Sequence, residues 1–224
     1  MARITERRAV HGFTEVHLRG YGMLEITQNP GLQGEETLAI EADDILMPRI
    51  ESEVRGSRLI LGVRMPWYEW LSFWLTWIFI ADKGIRFVLR ANRITEVDIG
   101  GSGRARVAGL RAESCRLRIG GSGKLEASGI EASEIEAEIA GSGRVECAGK
   151  ADAVRVRISG SGRVRAEDLS VRHASLRIGG SGRISVHASE SLEAWVGGSG
   201  RVDYRGNPAV TTHIAGSGRV RATG

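Results

Sequence analysis

A short glycine-rich repeat constrains this chain more than any other feature of its sequence. The tripeptide Gly-Ser-Gly, always followed by a basic residue, occurs seven times at intervals of 18 to 20 residues. The copies begin at Gly101, Gly121, Gly141, Gly160, Gly180, Gly198 and Gly216. A fixed period of this length is typical of a solenoid, in which each repeat forms one turn that stacks on the previous one.

Apolar residues alternate with polar ones on both sides of each tripeptide. In the second copy, Leu117 and Ile119 precede the tripeptide, and Leu125 and Ala127 follow it. A period of two indicates strands with one face turned inward, and glycines around a small serine indicate a tight corner. The sequence therefore predicts an all-β fold, a single-stranded parallel β-helix (β-solenoid) with about 18–20 residues per coil, in which a looser polar turn follows each second strand.

The chain is predicted to form one continuous domain with two parts. Residues 93–224 are expected to be the seven-repeat solenoid, and residues 1–92 to be irregular first coils with an N-terminal cap. Within the first part, we expect two strands in 13–27 around a corner at 20–22, whose Gly-Tyr-Gly resembles the later tripeptide. Further strands are expected at 38–41 and 59–63, with a short helical turn between them.

A tryptophan-rich segment at 66–80 interrupts this pattern and predicts a short helix, with a β-hairpin as the alternative. One helical face would carry Trp67, Trp70, Leu71, Trp74, Trp77 and Ile78. The segment is too short to span a bilayer, which takes about 20 apolar residues, but it could lie in the membrane interface. Capping or packing on the solenoid, a subunit contact, membrane docking and a sugar-stacking platform remain the alternatives for this surface.

The outward positions before each corner alternate in charge from one repeat to the next. Opposite charges on neighbouring strands stabilise a sheet, so the alternation predicts that successive repeats lie side by side. The position after each corner is instead basic in every copy, as Arg104, Lys124, Arg144, Arg163, Arg183, Arg201 and Arg219. This basic row predicts a stripe for a polyanion or lipid headgroups; the structural alternative is that each side chain bonds to corner carbonyls.

Other features of the sequence favour a protein without catalytic activity or cofactors. Gly120–Leu125 lacks the first glycine and the hydroxyl of a phosphate-binding loop, and the histidines show no metal-ligand spacing. Cys115 and Cys147 fall on inward positions and are expected to be core residues. Residues 1–10 lack a secretory signal, which indicates a cytoplasmic or membrane-peripheral protein, or a surface protein if a leader was removed.

The repeated unit Ile-x-Gly-Ser-Gly-Arg followed by an aliphatic residue resembles the “putative auto-transporter adhesin head GIN domain” family. It also looks like the wider group of bacterial toastrack repeat domains, and segments 13–16, 24–28, 38–42 and 58–61 match as well. The resemblance implies a single-sheathed, right-handed β-solenoid without assigned catalytic activity and suggests adhesion or a membrane-associated role. The residue after the tripeptide is often Asp or Asn in relatives, whereas it is basic in every copy here.

These observations together predict a non-enzymatic, adhesin-like scaffold that self-associates as a homo-oligomer. The last repeat ends at Gly224 and is expected to expose a strand edge that, like the tryptophan-rich segment, could form a subunit contact. A membrane-surface module and a glycan-binding or glycan-cleaving β-helix are the alternatives. Nucleic acid is not expected as a partner, because no aromatic residues alternate with the basic row.

Overall fold

The computed structural model describes residues 3–29, 36–63 and 84–223, which form 17 strands in one sheet. The strands before the regular repeats are Arg3–Ala9 (β1), Glu15–Gly20 (β2), Met23–Gln28 (β3), Thr37–Asp43 (β4), Ile50–Arg55 (β5), Arg58–Val63 (β6) and Arg86–Ala91 (β7). The repeats contribute Glu96–Gly101 (β8), Arg104–Ala108 (β9), Arg111–Gly121 (β10), Lys124–Gly141 (β11), Arg144–Gly160 (β12), Arg163–Gly180 (β13), Arg183–Gly198 (β14), Arg201–Arg205 (β15), Ala209–Ala215 (β16) and Arg219–Ala222 (β17). A 3₁₀ turn at Met47–Arg49 stands where a short helical turn was predicted.

The repeats stack in parallel, and each strand is hydrogen-bonded to the equivalent strands of the repeats before and after it. This confirms the predicted β-solenoid. Arg116 of β10 pairs with Glu96 of β8 on one side and with Glu136 of β11 on the other. The corners are in register too, because Gly121 pairs with both Gly101 and Gly141. Every outward position therefore becomes a straight row of side chains that runs along the solenoid axis.

The core is a set of inward rows, as the alternation predicted. In the second repeat Leu117, Ile119, Leu125 and Ala127 are all buried. The alternation holds in the last coil, but there Val210 and Ile214 are exposed because, in the described part of the chain, no further coil lies over them.

The bend opposite each corner differs from the looser polar turn that the sequence predicted. Strands β11 to β14 run through this bend without a break, and small register shifts absorb the change in direction. A third inward row passes through the bend with Leu110, Ile130 and Leu169, all buried, and with Gly149 between the last two; Ala188 is buried beside Val171. The sequence signal was an apolar residue nine positions after the first glycine of the tripeptide, present in the first, second and fourth copies.

The first coils are interleaved in space relative to their order in the chain. The pair β2 and β3 lies between β6 and β7 on one side and β8 and β9 on the other. Its corner at 20–22 stacks on the first regular corner, since Gly20 pairs with Gly101. Strands β4 and β5 then pair antiparallel with β7 and β6, and β1 pairs antiparallel with β4, so this end of the solenoid ends in antiparallel strands.

The predicted helical or hairpin insertion near 66–80 lies outside the described residues. Its flanking strands are described, and they fix where the chain leaves the coil. Strand β6 ends at Val63 beside the corner, and β7 begins at Arg86 on the other side of it. These two strand ends therefore lie on either side of the corner at 20–22. Within the described ranges, no helix is long and apolar enough to cross a bilayer.

Each corner brings consecutive coils so close that its two glycines tolerate no side chain. A Cβ on Gly141, whose φ is 131°, would lie 2.5 Å from the carbonyl oxygen of Gly121. A Cβ on Gly143 would lie 2.6 Å from Cγ2 of Ile119 in the previous coil. The serine between them, Ser142, is exposed, and its backbone N–H donates to the Gly121 carbonyl at 2.9 Å.

This packing predicts that Gly143→Ala lowers the melting temperature by several degrees. The added methyl group overlaps a buried branched side chain, an overpacking that typically costs about 1–3 kcal/mol. Ser142→Ala in the same corner is the matched control, and we expect it to change the unfolding free energy by less than about 0.5 kcal/mol. Thermal unfolding followed by circular dichroism measures both variants, and equal melting temperatures would contradict this account of the corner.

Candidate functional site

The seven predicted basic residues stand next to one another in a single row. Lys124 pairs with Arg104 and Arg144, and the register continues without a break to Arg219. At the other end the row passes through Met23 to Arg86. Neighbouring side chains thus start from strands about 4.8 Å apart, close enough for like charges to repel by roughly 1 kcal/mol even in water.

Only Lys124 in this basic row has a charged partner. It forms ion pairs with Glu126 and with Glu146, the second at 3.4 Å. The backbone N–H groups of the six arginines donate to corner carbonyls, but their side chains make no hydrogen bond or ion pair with any described residue, so the side-chain bonds that the structural alternative requires are not formed. The Nε of Arg163 is even buried without an acceptor in the described part of the chain. These guanidinium groups are therefore available to an external anion.

The neighbouring outward rows are balanced in charge. Before the corner, Arg116 contacts Glu136 at 2.7 Å and Glu96 at 3.5 Å. Next to it, Arg118 contacts Glu138 at 3.2 Å and Glu96 at 3.7 Å, so two arginines neutralise the largely buried Glu96. After the corner, the row that contains Arg106 and Glu126 is mixed in the same way. The uniform sign of the basic row is therefore a property of one position in the repeat.

A row of serine hydroxyls runs beside the basic row. The middle residue of every tripeptide is exposed, and none of these hydroxyl groups has a hydrogen-bond partner among the described residues. The seven members are Ser102, Ser122, Ser142, Ser161, Ser181, Ser199 and Ser217. The prediction treated these serines only as small corner residues, although their repetition at an unconstrained position was visible in the sequence.

Small residues leave the other side of the serine row open. The position before each tripeptide is glycine, alanine or serine, and a Cβ on Gly120 would meet no atom within 4 Å. A shallow groove of about 440 Å³ follows this small-residue row past Arg157, Arg177 and Trp195. Trp195 lies beside Arg177 in the register, but its ring stacks on His213 at 3.9 Å. The spacing of 18 residues between these two rings equals one repeat, a signal that the sequence contained.

The described residues offer little for catalysis or metal binding. Cys115 and Cys147 are buried, as predicted, and burial raises the pKa of each thiol to about 12, so both stay protonated. Within the described ranges no group of three or more His, Cys, Asp or Glu residues could hold a metal ion. The predicted interface residues Trp67, Trp70, Leu71, Trp74, Trp77 and Ile78 lie outside the described residues.

Two carboxylates next to cationic partners have lowered pKa values. A hydrogen bond from Lys124, and another from Arg106 at 2.8 Å, lower the pKa of Glu126. Burial would raise the pKa of Asp98, but His17, whose Nδ1 lies 2.9 Å from Oδ2, together with Arg118 and Arg58, lowers it overall. Both groups favour the folded state when they are ionised.

We therefore expect Glu126 to stabilise the fold at neutral pH and to lose this effect in acid. Because its pKa is lowered by folding, its contribution is complete above the ordinary value of 4.5 and disappears as the pH falls through the folded value. The melting-temperature difference between the parent and Glu126→Gln should be largest near pH 7 and shrink below about pH 4.5. Glu113→Gln, at an exposed residue outside the ion pairs, is the control, and a pH-independent difference for Glu126→Gln would be inconsistent with this explanation.

Comparisons with known proteins agree with this architecture. A crystal structure of a “putative adhesin” from Bacteroides fragilis has a TM-score of 0.84 and 19% identity, covering 99% of this chain and 97% of that chain. A “putative lipid binding protein” from Parabacteroides distasonis has a TM-score of 0.76 and 22% identity over the same shares of the two chains. At such identities the similarity establishes a common fold. No curated protein matches the sequence.

The family comparison covers the solenoid together with most of its irregular first coils. The family described as “Putative auto-transporter adhesin, head GIN domain” matches residues 12–208, which include the first six tripeptides and the corner at 20–22. This confirms the resemblance inferred from the repeated corner. The chain therefore belongs to the “putative auto-transporter adhesin, head GIN domain” family.

Proposed function

We propose that this protein is a non-catalytic, adhesin-like scaffold that self-associates through the last coil of its solenoid. The observation that carries the proposal is the open edge of β16, all seven residues of which are exposed. In the described part of the chain β16 pairs only with β14, so its other side presents unpaired backbone groups. Val210 and Ile214, 39% and 45% exposed, lie at inward positions of this strand without a cover.

The two ends of the solenoid differ in how their edges are protected. Strand β1 carries four charged residues out of seven, and β5 carries Glu51, Glu53 and Arg55. Charged side chains on edge strands are a common defence against pairing with another sheet. Strand β16 has none, since its sequence is Ala-Val-Thr-Thr-His-Ile-Ala. The absence of charged residues on β16 supports the proposal that another copy of the chain pairs with this edge.

The sequence of β16 also fits a second copy of itself. In an antiparallel pair centred on Thr212, Val210 would face Ile214 of the second copy, and Thr211 would face His213. Each pair joins residues of similar character on the same face of the sheet, which favours cross-strand contacts. A two-fold symmetric interface requires this kind of self-complementarity. A symmetric dimer joined at β16 is therefore our specific proposal.

We also propose that the protein is not an enzyme. The residues at the bends of the coils support this. The groove at the bend is lined by charged residues that already form ion pairs, including Arg106 with Glu126 and Arg165 with Glu146. The family and the two solved structures described above are named for adhesion or lipid binding. A scaffold role, in which the solenoid presents regular rows of side chains, accounts for the repeated sequence and requires no catalytic activity.

Light scattering coupled to size exclusion tests the self-association. We expect the parent protein to form a dimer and Thr212→Lys to be a monomer, because two lysines would meet at the symmetry axis. Thr5→Lys on the edge strand β1 is the matched control and should keep the parent mass. Circular dichroism should show the same strand content in all three proteins.

Two results would contradict the proposal. A parent protein that is monomeric throughout the accessible concentration range would exclude self-association. A dimer that survives Thr212→Lys but dissociates in Thr5→Lys would place the interface at the other end of the solenoid. The masses alone separate these outcomes.

A further inference from the structure

We propose that the corner edge of the solenoid binds an acidic polysaccharide that lies along the solenoid axis. The basic row would hold the carboxylates of the polymer, and the serine row would bond to its hydroxyl groups. The candidate site extends from Arg104 to Arg219 and is independent of the dimer interface at β16. It depends only on residues that the structure describes.

Stacking of the coils explains the glycines of the tripeptide but neither the serine nor the basic residue. Side chains at the glycine positions would overlap the previous coil, as Gly141 and Gly143 show. Ser142 and Arg144 instead point away from the core and are exposed, so packing permits many other residues there. Serine nevertheless recurs in all seven repeats, and arginine follows the tripeptide in six of them, with a lysine in the other. A role outside the fold accounts for this repetition.

The basic row also has an energetic cost. A row of like charges on neighbouring strands destabilises a sheet, whereas the adjacent outward rows contain both signs and form ion pairs such as that of Arg116 with Glu136. Six of the seven cations have no partner in the described part of the chain, and the Nε of Arg163 is buried without an acceptor. Carboxylates bound along the row would remove the repulsion. Arginine suits this role because its planar group pairs with a carboxylate through two parallel hydrogen bonds.

The basic row also has the shape of an extended polymer. It is one charge wide, and its six intervals of about 4.8 Å give a length of roughly 30 Å. A linear polymer that carries repeated carboxylates can therefore contact several members of the row at once. The open small-residue row beyond the serines, which includes Gly120, lets such a chain approach the hydroxyl groups.

Other polyanions fit this edge less well. Single-stranded nucleic acid is bound by grooves in which bases stack on aromatic side chains, and none of the seven tripeptides or the basic residues after them is aromatic. A membrane presents a plane of charge, whereas the rows on both sides of this edge, with Arg118 and Glu138 or Arg106 and Glu126, are neutralised within the protein. A narrow, linear ligand that carries hydroxyl groups as well as charges uses both rows.

Binding of polygalacturonate, followed by isothermal titration calorimetry, tests the proposal. The triple variant Arg144→Gln, Arg163→Gln and Arg183→Gln should weaken binding about tenfold or more. The control triple Arg7→Gln, Arg90→Gln and Arg93→Gln removes the same charge from exposed residues away from the corner edge and should change affinity less than about twofold. Fully methyl-esterified polygalacturonate, which keeps the sugar chain but loses the charge, should not bind.

The serine row has its own test. Ser142→Ala, Ser161→Ala and Ser181→Ala together should weaken binding several-fold while leaving its dependence on salt unchanged, because they remove hydrogen bonds without removing charge. The dimer-breaking variant Thr212→Lys should bind with the parent affinity per site. This measurement separates failure of the glycan site from failure of the proposed self-association.

Several outcomes would overturn the inference. One is the absence of polygalacturonate binding in low salt. Another is equal weakening by the two arginine triples, which would reveal attraction to net charge alone. Tighter binding through the same row to single-stranded DNA or to vesicles containing phosphatidylglycerol would assign the row to a different class of polyanion. Melting temperatures of the triple variants that are no lower than that of the parent would confirm that losses of binding are local.

Discussion

The close approach of backbones at the corner is the constraint on which the whole solenoid depends. The carbonyl of Gly121 accepts the N–H of Ser142 at 2.9 Å and would lie 2.5 Å from any Cβ placed on Gly141. A residue with a side chain cannot occupy that position, so the corners of successive coils can stack only in one register. This contact therefore aligns both the inward rows of the core and the outward rows of charged side chains.

Once the register is fixed, each outward position acts as an independent surface. The rows that contain Arg116 and Arg118 carry both signs and connect neighbouring coils through ion pairs of 2.7–3.7 Å. The basic row lacks such partners and adds repulsion to a scaffold that the other rows and the core must offset. The same repeat thus separates stabilising positions from positions that are free to serve an external partner.

The sequence predicted the elements that depend on strict repetition. The alternation of Leu117 and Ile119, the pairing of Glu96 with Arg116 and the inward cysteines were all visible, because each follows from a period of two or of one coil. The bend row that contains Ile130 was missed, because small register shifts hide its periodicity. The position of β2 between β6 and β8 could not be predicted, since local patterns do not report the order in which coils stack in space. The sequence identified the candidate site as a row of basic residues. That the serine hydroxyls beside it lack hydrogen-bond partners among the described residues could be seen only in the structure.

The interleaved first coils have a consequence for how the protein assembles during synthesis. The pair β2 and β3 leaves the ribosome early, yet both of its neighbours in the sheet come from later parts of the chain. Its two edges stay unsatisfied until β6 and β7 add to one side and β8 and β9 to the other. Both edges of this pair can therefore be covered only after the chain has been synthesised as far as β9, which ends at Ala108. The antiparallel end and the regular array are joined through this single pair of strands.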